Sequence, residues 1–369
     1  MVKKNIIEQL GIISKIMFHI LKVRAPHTLQ HIQNVPTLSV MIAKFLKKKD
    51  NTPYFSKEDL IKIDLAAQLH DCGKTTSPDY LLTKSTKLEC LHNRIHEIRN
   101  RFEILRRDAE ITYLKKIITN PQKKQEAKEK FKSTVKELEE EFAFIAYSNI
   151  GENELTEKDI AKLKKIGQKK FRRYFNRLLG LSWIEHQKLS ETQKNNYDKS
   201  GYEFLLQDNP EDTVLDIPTG ELHNLSIIKG TLNLEERKKI EEHAVETEHI
   251  LSLIPLPSQY KCVVQYASQH HERPNGKGYP HGLSDKDLSV AAKIITLADI
   301  FEALTSSDRP YKSPKKLSTA LRILQDMKNN GQIDEDLYRL FLEKKIFLKY
   351  AKKHLKPEQI DHIDIKDFF

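Results

Sequence analysis

The sequence predicts an all-α protein, on three observations. Glycine and proline are scarce, at 12 and 14 among 369 residues, which disfavours a turn-rich β protein. Nearly every segment repeats its apolar residues at the 3-4 spacing of one helix face. The chain is 38% hydrophobic and 31% charged, enough to bury a core while leaving much solvated helix surface.

The elements follow in order. The start, "MVKKNIIEQLGIISKIMFHILKVR", is basic and then apolar, as in a signal peptide. Glu8, Lys15 and His19 interrupt the apolar run and no small-residue cleavage site follows, so it reads as an amphipathic helix leading into the domain. Segments 37–49 and 56–71 read as helices, the second with Ser56 as N-cap and Asp59 at the third helical position. Between 93 and 170 the chain is highly charged. There Ile95, Ile98, Phe102, Leu105 and Ala109 form one narrow apolar seam, and Phe131, Val135, Leu138, Phe142 and Ile145 form a second. Two such seams predict an antiparallel helical hairpin or a short coiled coil, with "TNPQ" at 119–122 as its turn. Residues 171–225 are less regular and are expected to pack back on the core. Segment 233–254 reads as one helix capped by Asn233, and 260–271 and 290–308 are apolar enough to be buried helices.

The formal net charge of +10 suits an anionic partner, whether nucleotide, nucleic acid or acidic membrane face, and equally a plain lysine-rich surface. Lysine is spread rather than banded and no RNA or DNA motif occurs, so nucleic acid is not the expected partner. No apolar run approaches transmembrane length, which argues against stable membrane insertion. Three cysteines, Cys72, Cys90 and Cys262, with no CxxC pair, argue against a disulfide framework and for a reducing compartment, hence the cytoplasm.

The chemistry-bearing residues fall in five segments. "HDCGK" at 70–74 closes the apolar run "IDLAAQL" and sets His70 beside Asp71. "PHTLQH" places His27 and His31 four apart on one helix face. "EEHAVETEH" offers His243 and His249, "SQHHERPNGKGYPHG" gives adjacent His270 and His271, and "TLADIFEALTSSDRPYK" sets Asp299 inside an apolar helix. A histidine within a helix is more often structural than a ligand. A carboxylate in an apolar run is harder to dismiss, because burial demands a partner or a metal. Asp71 and Asp299 both lie in such runs.

Together, "HDCGK", "HHERPNGKGYP" and "DIFEALTSSDRPYK" resemble the motifs of the HD-GYP family, metal-dependent phosphodiesterases of cyclic dinucleotides. The core of the resemblance covers about 23–92 and 226–330. It implies an HD-domain helical bundle with an inserted helical hairpin subdomain. The expected division is an N-terminal helix or linker at 1–22, the domain in two parts at 23–92 and 226–330, the insert at 93–225, and a C-terminal helical extension at 331–369. The flanks of 93–225 are similar to those of a longer subfamily with such an insert, in which the unit usually follows a sensor region.

The resemblance also assigns roles. His31, His70, Asp71 and Asp299 match one metal set, and His243, His270 and His271 a second, with Asp71 as the bridge. Imidazole and carboxylate donors suit Fe or Mn. Two ions would hold a water or hydroxide between them as nucleophile. Lys74 would stabilise transition-state charge. Arg309 and Lys312 match positions that hold phosphate or base, and Gly276, Gly278 and Tyr279 line the substrate loop. Gly276 and Gly278 allow close backbone approach to a ligand, although a tight turn needs glycine too. His27 stands where some members carry a third-metal glutamate, which leaves a third ion open. Glu272 and Glu302 are candidates to orient a ligand histidine or Lys74, whereas His249 and His281 read as structural or exposed. The implied reaction opens cyclic di-GMP to linear pGpG, with further hydrolysis to GMP open. Cyclic GMP-AMP as substrate, and a sensor or scaffold with little turnover, are the alternatives. The implied partners are a second copy through the insert and an upstream sensor or diguanylate cyclase.

Overall fold

The computed structural model describes residues 2–24, 26, 29–48, 50–208, 213–214, 217–306 and 314–369. In chain order the helices begin with α1 (Val2–Arg24), α2 (Leu29–Phe45), α3 (Lys57–Leu69), α4 (Asp79–Thr83), α5 (Ile95–Thr119), α6 (Lys124–Asn149) and α7 (Glu157–Gly167). Next come β1 (Lys170–Arg173), α8 (Trp183–Lys188), α9 (Glu191–Asp198), β2 (Gly201–Phe204), β3 (Thr213–Val214), β4 (Ile217–Pro218) and α10 (Glu221–Leu225). The chain continues through α11 (Leu234–Glu241), α12 (His243–Ser252), α13 (Cys262–Ser268) and α14 (Val290–Thr305), then α15 (Leu317–Asn329), α16 (Glu335–Glu343) and α17 (Ile346–His354). The contacts divide it into two compact units, Met1–Thr83 with Lys238–Phe369, and Lys84–Arg237. Segments 84–92 and 226–237, expected with the flanking domain, group with the insert.

In the first unit, α14 is apolar on nearly every side and lies at the centre of the core, where Ile294, Ile295, Leu297, Ala298 and Phe301 are buried. Against it pack Val35, Leu38 and Ile42 of α2 and Ile63 and Leu69 of α3. The expected helix at 37–49 starts earlier, at Leu29, and carries Pro36 inside it. Helix α3 begins as its sequence dictates. The Ser56 hydroxyl accepts from the Asp59 amide and the Asp59 carboxylate accepts from the Ser56 amide. The residues after 331 are no appendage. Phe341, Phe347 and Tyr350 are fully buried, and Phe341 meets Phe301 edge-on at 5.0 Å.

Two expected helices are shorter than their patterns. Segment 233–254 breaks at Glu242 into α11 and α12, and 260–271 yields α13 alone, preceded by a 3₁₀ turn at Ser258–Tyr260.

In the second unit, α5 and α6 form the antiparallel hairpin, with the turn at Pro121–Lys123. Phe102 meets Phe142 at 5.4 Å and Tyr113 stacks on Phe131 at 5.5 Å. The region after 170 departs from an all-helical reading: β1 pairs with β2, and β3 with β4, as two small antiparallel sheets. Buried ions tie the unit together. The Lys84 ammonium donates to both oxygens of Glu236 at 2.7 and 2.8 Å, and Arg94 and Arg101 converge on Glu221.

Candidate metal centre

Helix ends supply most of the side chains of one buried cluster in the first unit. His31 projects from the first turns of α2, and Asp299 and Glu302 from α14. His70 caps the C-terminus of α3, and Asp71 leads into a 3₁₀ turn at Cys72–Thr76. His243 opens α12, and His270 and His271 follow the end of α13. Ending these helices at the cluster frees their side chains to converge.

The geometry separates the two oxygens of Asp71. Its Oδ2 lies 3.5 Å from His31 Nε2 and 3.4 Å from His70 Nε2. Its Oδ1 lies 3.5 Å from His243 Nε2 and 3.9 Å from His270 Nε2. Asp299 Oδ1 closes the first side, 3.3 Å from His31 Nε2. Three sets bring ligand atoms within 4.8 Å of one another: His31, His70 and Asp299; His70, Asp71 and His270; and His243, His270 and His271.

Each of four imidazoles is anchored by Nδ1 and faces the centre with Nε2. His70, His243 and His270 use the carbonyl three residues earlier, on Ala67, Ile240 and Ala267, at 2.6–2.7 Å. His31 Nδ1 meets Glu302 Oε2 at 2.5 Å, and Asn34 donates to the other oxygen. A carbonyl partner makes Nδ1 the donor and leaves Nε2 as a lone pair. His70 Nε2 is buried and makes no hydrogen bond. Such an atom, among carboxylates and other Nε2 lone pairs, suits a cation, so the residues fit a metal centre.

Electrostatics agree. Burial alone would raise the Asp71 carboxyl, but the Lys74 charge and the His70 ring more than offset it and hold Asp71 well below the usual carboxylate range. Asp299 is likewise held well below it, with His31 overcoming burial. Burial, reinforced by Lys74, pushes His243 down to about 4, and burial among neighbouring histidines pushes His270 and His271 well down. These three rings are therefore neutral donors. Burial would also lower His31, but Asp299, Asp71 and Glu302 more than offset this and raise it.

Lys74 sits on the cluster itself, its ammonium 2.6 Å from Asp71 Oδ2. Tyr279 packs its ring 4.6 Å from that of His271. The two glycines each meet a backbone demand of the loop itself. Gly276 adopts φ +72°, which a left-handed turn requires. At Gly278 a Cβ would lie 2.4 Å from the Arg273 nitrogen and 2.6 Å from the His271 carbonyl oxygen, so its close approach is to the chain's own backbone. Glu302 orients His31, but Glu272 does not orient a histidine; it accepts the amides of His281 and Leu283 and so ties down the loop. His281 pairs with Glu248 at the surface, and His249 is exposed. His27, Arg309 and Lys312 lie outside the described residues.

Sequence reasoning missed the groups that hold the ligand backbones. The Thr247 hydroxyl, fully buried, accepts from the Gly73 amide and donates to the His70 carbonyl, both at 3.0 Å. It thereby joins α12, which carries His243, to the segment carrying His70 and Asp71. Gly73 permits this approach, since a Cβ there would lie 2.0 Å from the His243 carbonyl oxygen. The Thr296 hydroxyl donates to the His270 carbonyl at 2.9 Å. Arg24 donates to the carbonyls of Thr75 and Ser77 and to Asp79, which fixes the far side of the Lys74 turn. A lone threonine or arginine carries no sequence signal for such a role.

An HD domain family model matches residues 28–217 and a second HD domain model matches 213–337. The chain belongs to the HD domain family, and its motifs are those of the HD-GYP branch. A 3'3'-cGAMP-specific phosphodiesterase of Vibrio cholerae is 38% identical over 97 residues, 26% of this chain and 20% of that protein. A cyclic di-GMP phosphodiesterase of Thermotoga maritima is 34% identical over 134 residues, 36% of this chain and 35% of that one. A cyclic di-GMP phosphodiesterase response regulator of Xanthomonas campestris is 45% identical over 58 residues, 16% and 15% of the two chains. The chain thus matches about a third or less of the length of these relatives. No described helix is long and apolar enough to cross a membrane.

Proposed function

We propose that the protein is a metal-dependent phosphodiesterase that opens cyclic di-GMP at one ester to give linear pGpG. The observation that carries this reading is the split of Asp71, with each carboxylate oxygen facing a different pair of histidines. That arrangement supports a bridging carboxylate between two divalent ions, Fe or Mn by the donor set. His31, His70 and Asp299 would hold one ion and His243, His270 and His271 the other. Ions bound there would supply an activated water and neutralise charge on the phosphoryl oxygens.

The chain's own residues do the rest. The carbonyl and carboxylate partners of Nδ1 fix the rings of His31, His70, His243 and His270 and raise their basicity. Burial of the cluster excludes bulk water and strengthens each interaction within it. Lys74, still partly exposed on Asp71, places a fixed cation where an incoming phosphate meets the cluster. Arg309, Lys312 and Tyr279 complete the substrate contacts in this reading, and His27 is the candidate for a third ion.

Cyclic GMP-AMP is a second substrate reading, favoured by the Vibrio cholerae relatives named for it. Assembly through the α5–α6 hairpin, where Ile111 and Ile118 are exposed, and an upstream sensor or diguanylate cyclase belong to the same proposal. The test is chromatography of cyclic di-GMP and 3',3'-cyclic GMP-AMP after incubation with Fe- or Mn-loaded protein, beside Asp71→Ala. Linear dinucleotide from the wild type alone is expected. Binding without product under either metal would replace the enzyme reading with that of a sensor.

A further inference from the structure

The segment between β1 and β2 has almost no core of its own, with Leu189 its one buried side chain among the described residues. Neither α8 nor α9 buries a side chain. Polar contacts order the segment instead. Arg173 donates to the carbonyls of Phe175, Asn196 and Lys199 and pairs with Glu203, and Asn176 donates to Asp198. Large apolar side chains are consequently left outside: Phe175 is 86% exposed, Leu179 77%, Trp183 72% and Ile184 63%.

The adjoining sheet carries exposed charge beside exposed rings. The β1–β2 register sets Lys170 against Phe204 and Arg172 against Tyr202 on one exposed face. Lys170 lies over the Phe204 ring at 4.9 Å, and Arg172 over Tyr174 at 4.8 Å. Among the described residues neither cation pairs with a carboxylate. Across 170–188 the charges are Lys170, Arg172, Arg173, Arg177 and Lys188 against Glu185 alone.

We propose that this lobe docks the protein peripherally on an anionic lipid surface. Protein interfaces take Arg and aromatic rings but deplete Lys at their apolar centre. Here cation and aromatic alternate pair by pair, so the occupant must accept both side by side. An anionic headgroup layer above acyl chains does so, with Arg and Lys at the phosphates and Trp, Tyr and Phe at the boundary. Single-stranded nucleic acid also takes cations and rings, but the exposed aliphatics Leu179 and Ile184 have no part in base stacking.

The experiment is sedimentation of the full chain with vesicles of about 30% phosphatidylglycerol in phosphatidylcholine, beside pure phosphatidylcholine. Binding to the mixed vesicles at least about tenfold stronger is expected, weakening as salt rises from about 0.1 to 0.5 M. Phe175→Ala/Trp183→Ala and Lys170→Gln/Arg172→Gln should each lower it about tenfold, with circular dichroism unchanged. No vesicle binding, equal binding to both lipids, or binding indifferent to both variants would overturn the proposal. So would a dimer that only the apolar variant dissociates, or binding to homopolymer RNA that the variants abolish while lipid binding persists.

Discussion

Replacing Thr247 by valine removes one oxygen and leaves the shape of the side chain nearly intact. Among the described residues that oxygen is the sole acceptor for the Gly73 amide, and its hydroxyl donates to the His70 carbonyl, each at 3.0 Å inside a fully buried contact. An amide stranded in such a place costs about 1–3 kcal/mol, and the lost carbonyl bond adds about 1 kcal/mol. The metal-free protein should therefore lose about 2–4 kcal/mol, or roughly 4–16 °C in melting temperature. A purely structural hydroxyl would do no more. Because Thr247 also sets α12 against the His70–Asp71 segment, the two sides of the cluster should lose register, and affinity for Mn should fall about 10–100-fold. The assay pairs calorimetry of the metal-free protein with Mn titration of wild type, Thr247→Val and Thr247→Ser. Serine retains the oxygen and should restore most of the affinity. Full Mn affinity in a destabilised Thr247→Val protein, or no rescue by serine, would refute the positioning argument.

Other substitutions probe separate parts of the account. Glu302→Gln keeps an acceptor for His31 but removes its charge, so Mn affinity should fall about tenfold, and Glu302→Ala further, as read by metal content after dialysis. Gly278→Ala forces a Cβ against backbone atoms and should cost about 3 kcal/mol, whereas Gly276→Ala, strained only by its φ of +72°, should cost about 1 kcal/mol in urea unfolding. Lys84→Met strands a buried Glu236 and should cost about 3–5 kcal/mol, and adding Glu236→Gln should recover more than half of that.

The cluster was legible because its residue types are out of place in apolar helices, and a carboxylate such as Asp71 or Asp299 has few reasons to be there. The start of α3 was legible because Ser56 and Asp59 are local partners three residues apart. What escaped depends on distant partners. The break at Glu242 interrupts a pattern that is continuous in sequence, and it lets His243 start a new helix at the cluster. Strand β1, in "KFRR", is too short for a period to register, and only its pairing with β2 defines it. Glu272 looked like a partner for the neighbouring histidines, yet its side chain turns to the amides of the following loop. Thr247 stands one helical turn after His243 and nothing in the sequence distinguishes it from a packing residue.

The central claim is that Asp71 bridges two ions, and anomalous diffraction from Mn-loaded crystals tests it most directly. Two peaks about 3.5–4 Å apart, one beside His31, His70 and Asp299 and the other beside His243, His270 and His271, with the Asp71 carboxylate between them, are the predicted result. A single peak, or two peaks that leave Asp71 bound to only one, would contradict the two-metal account.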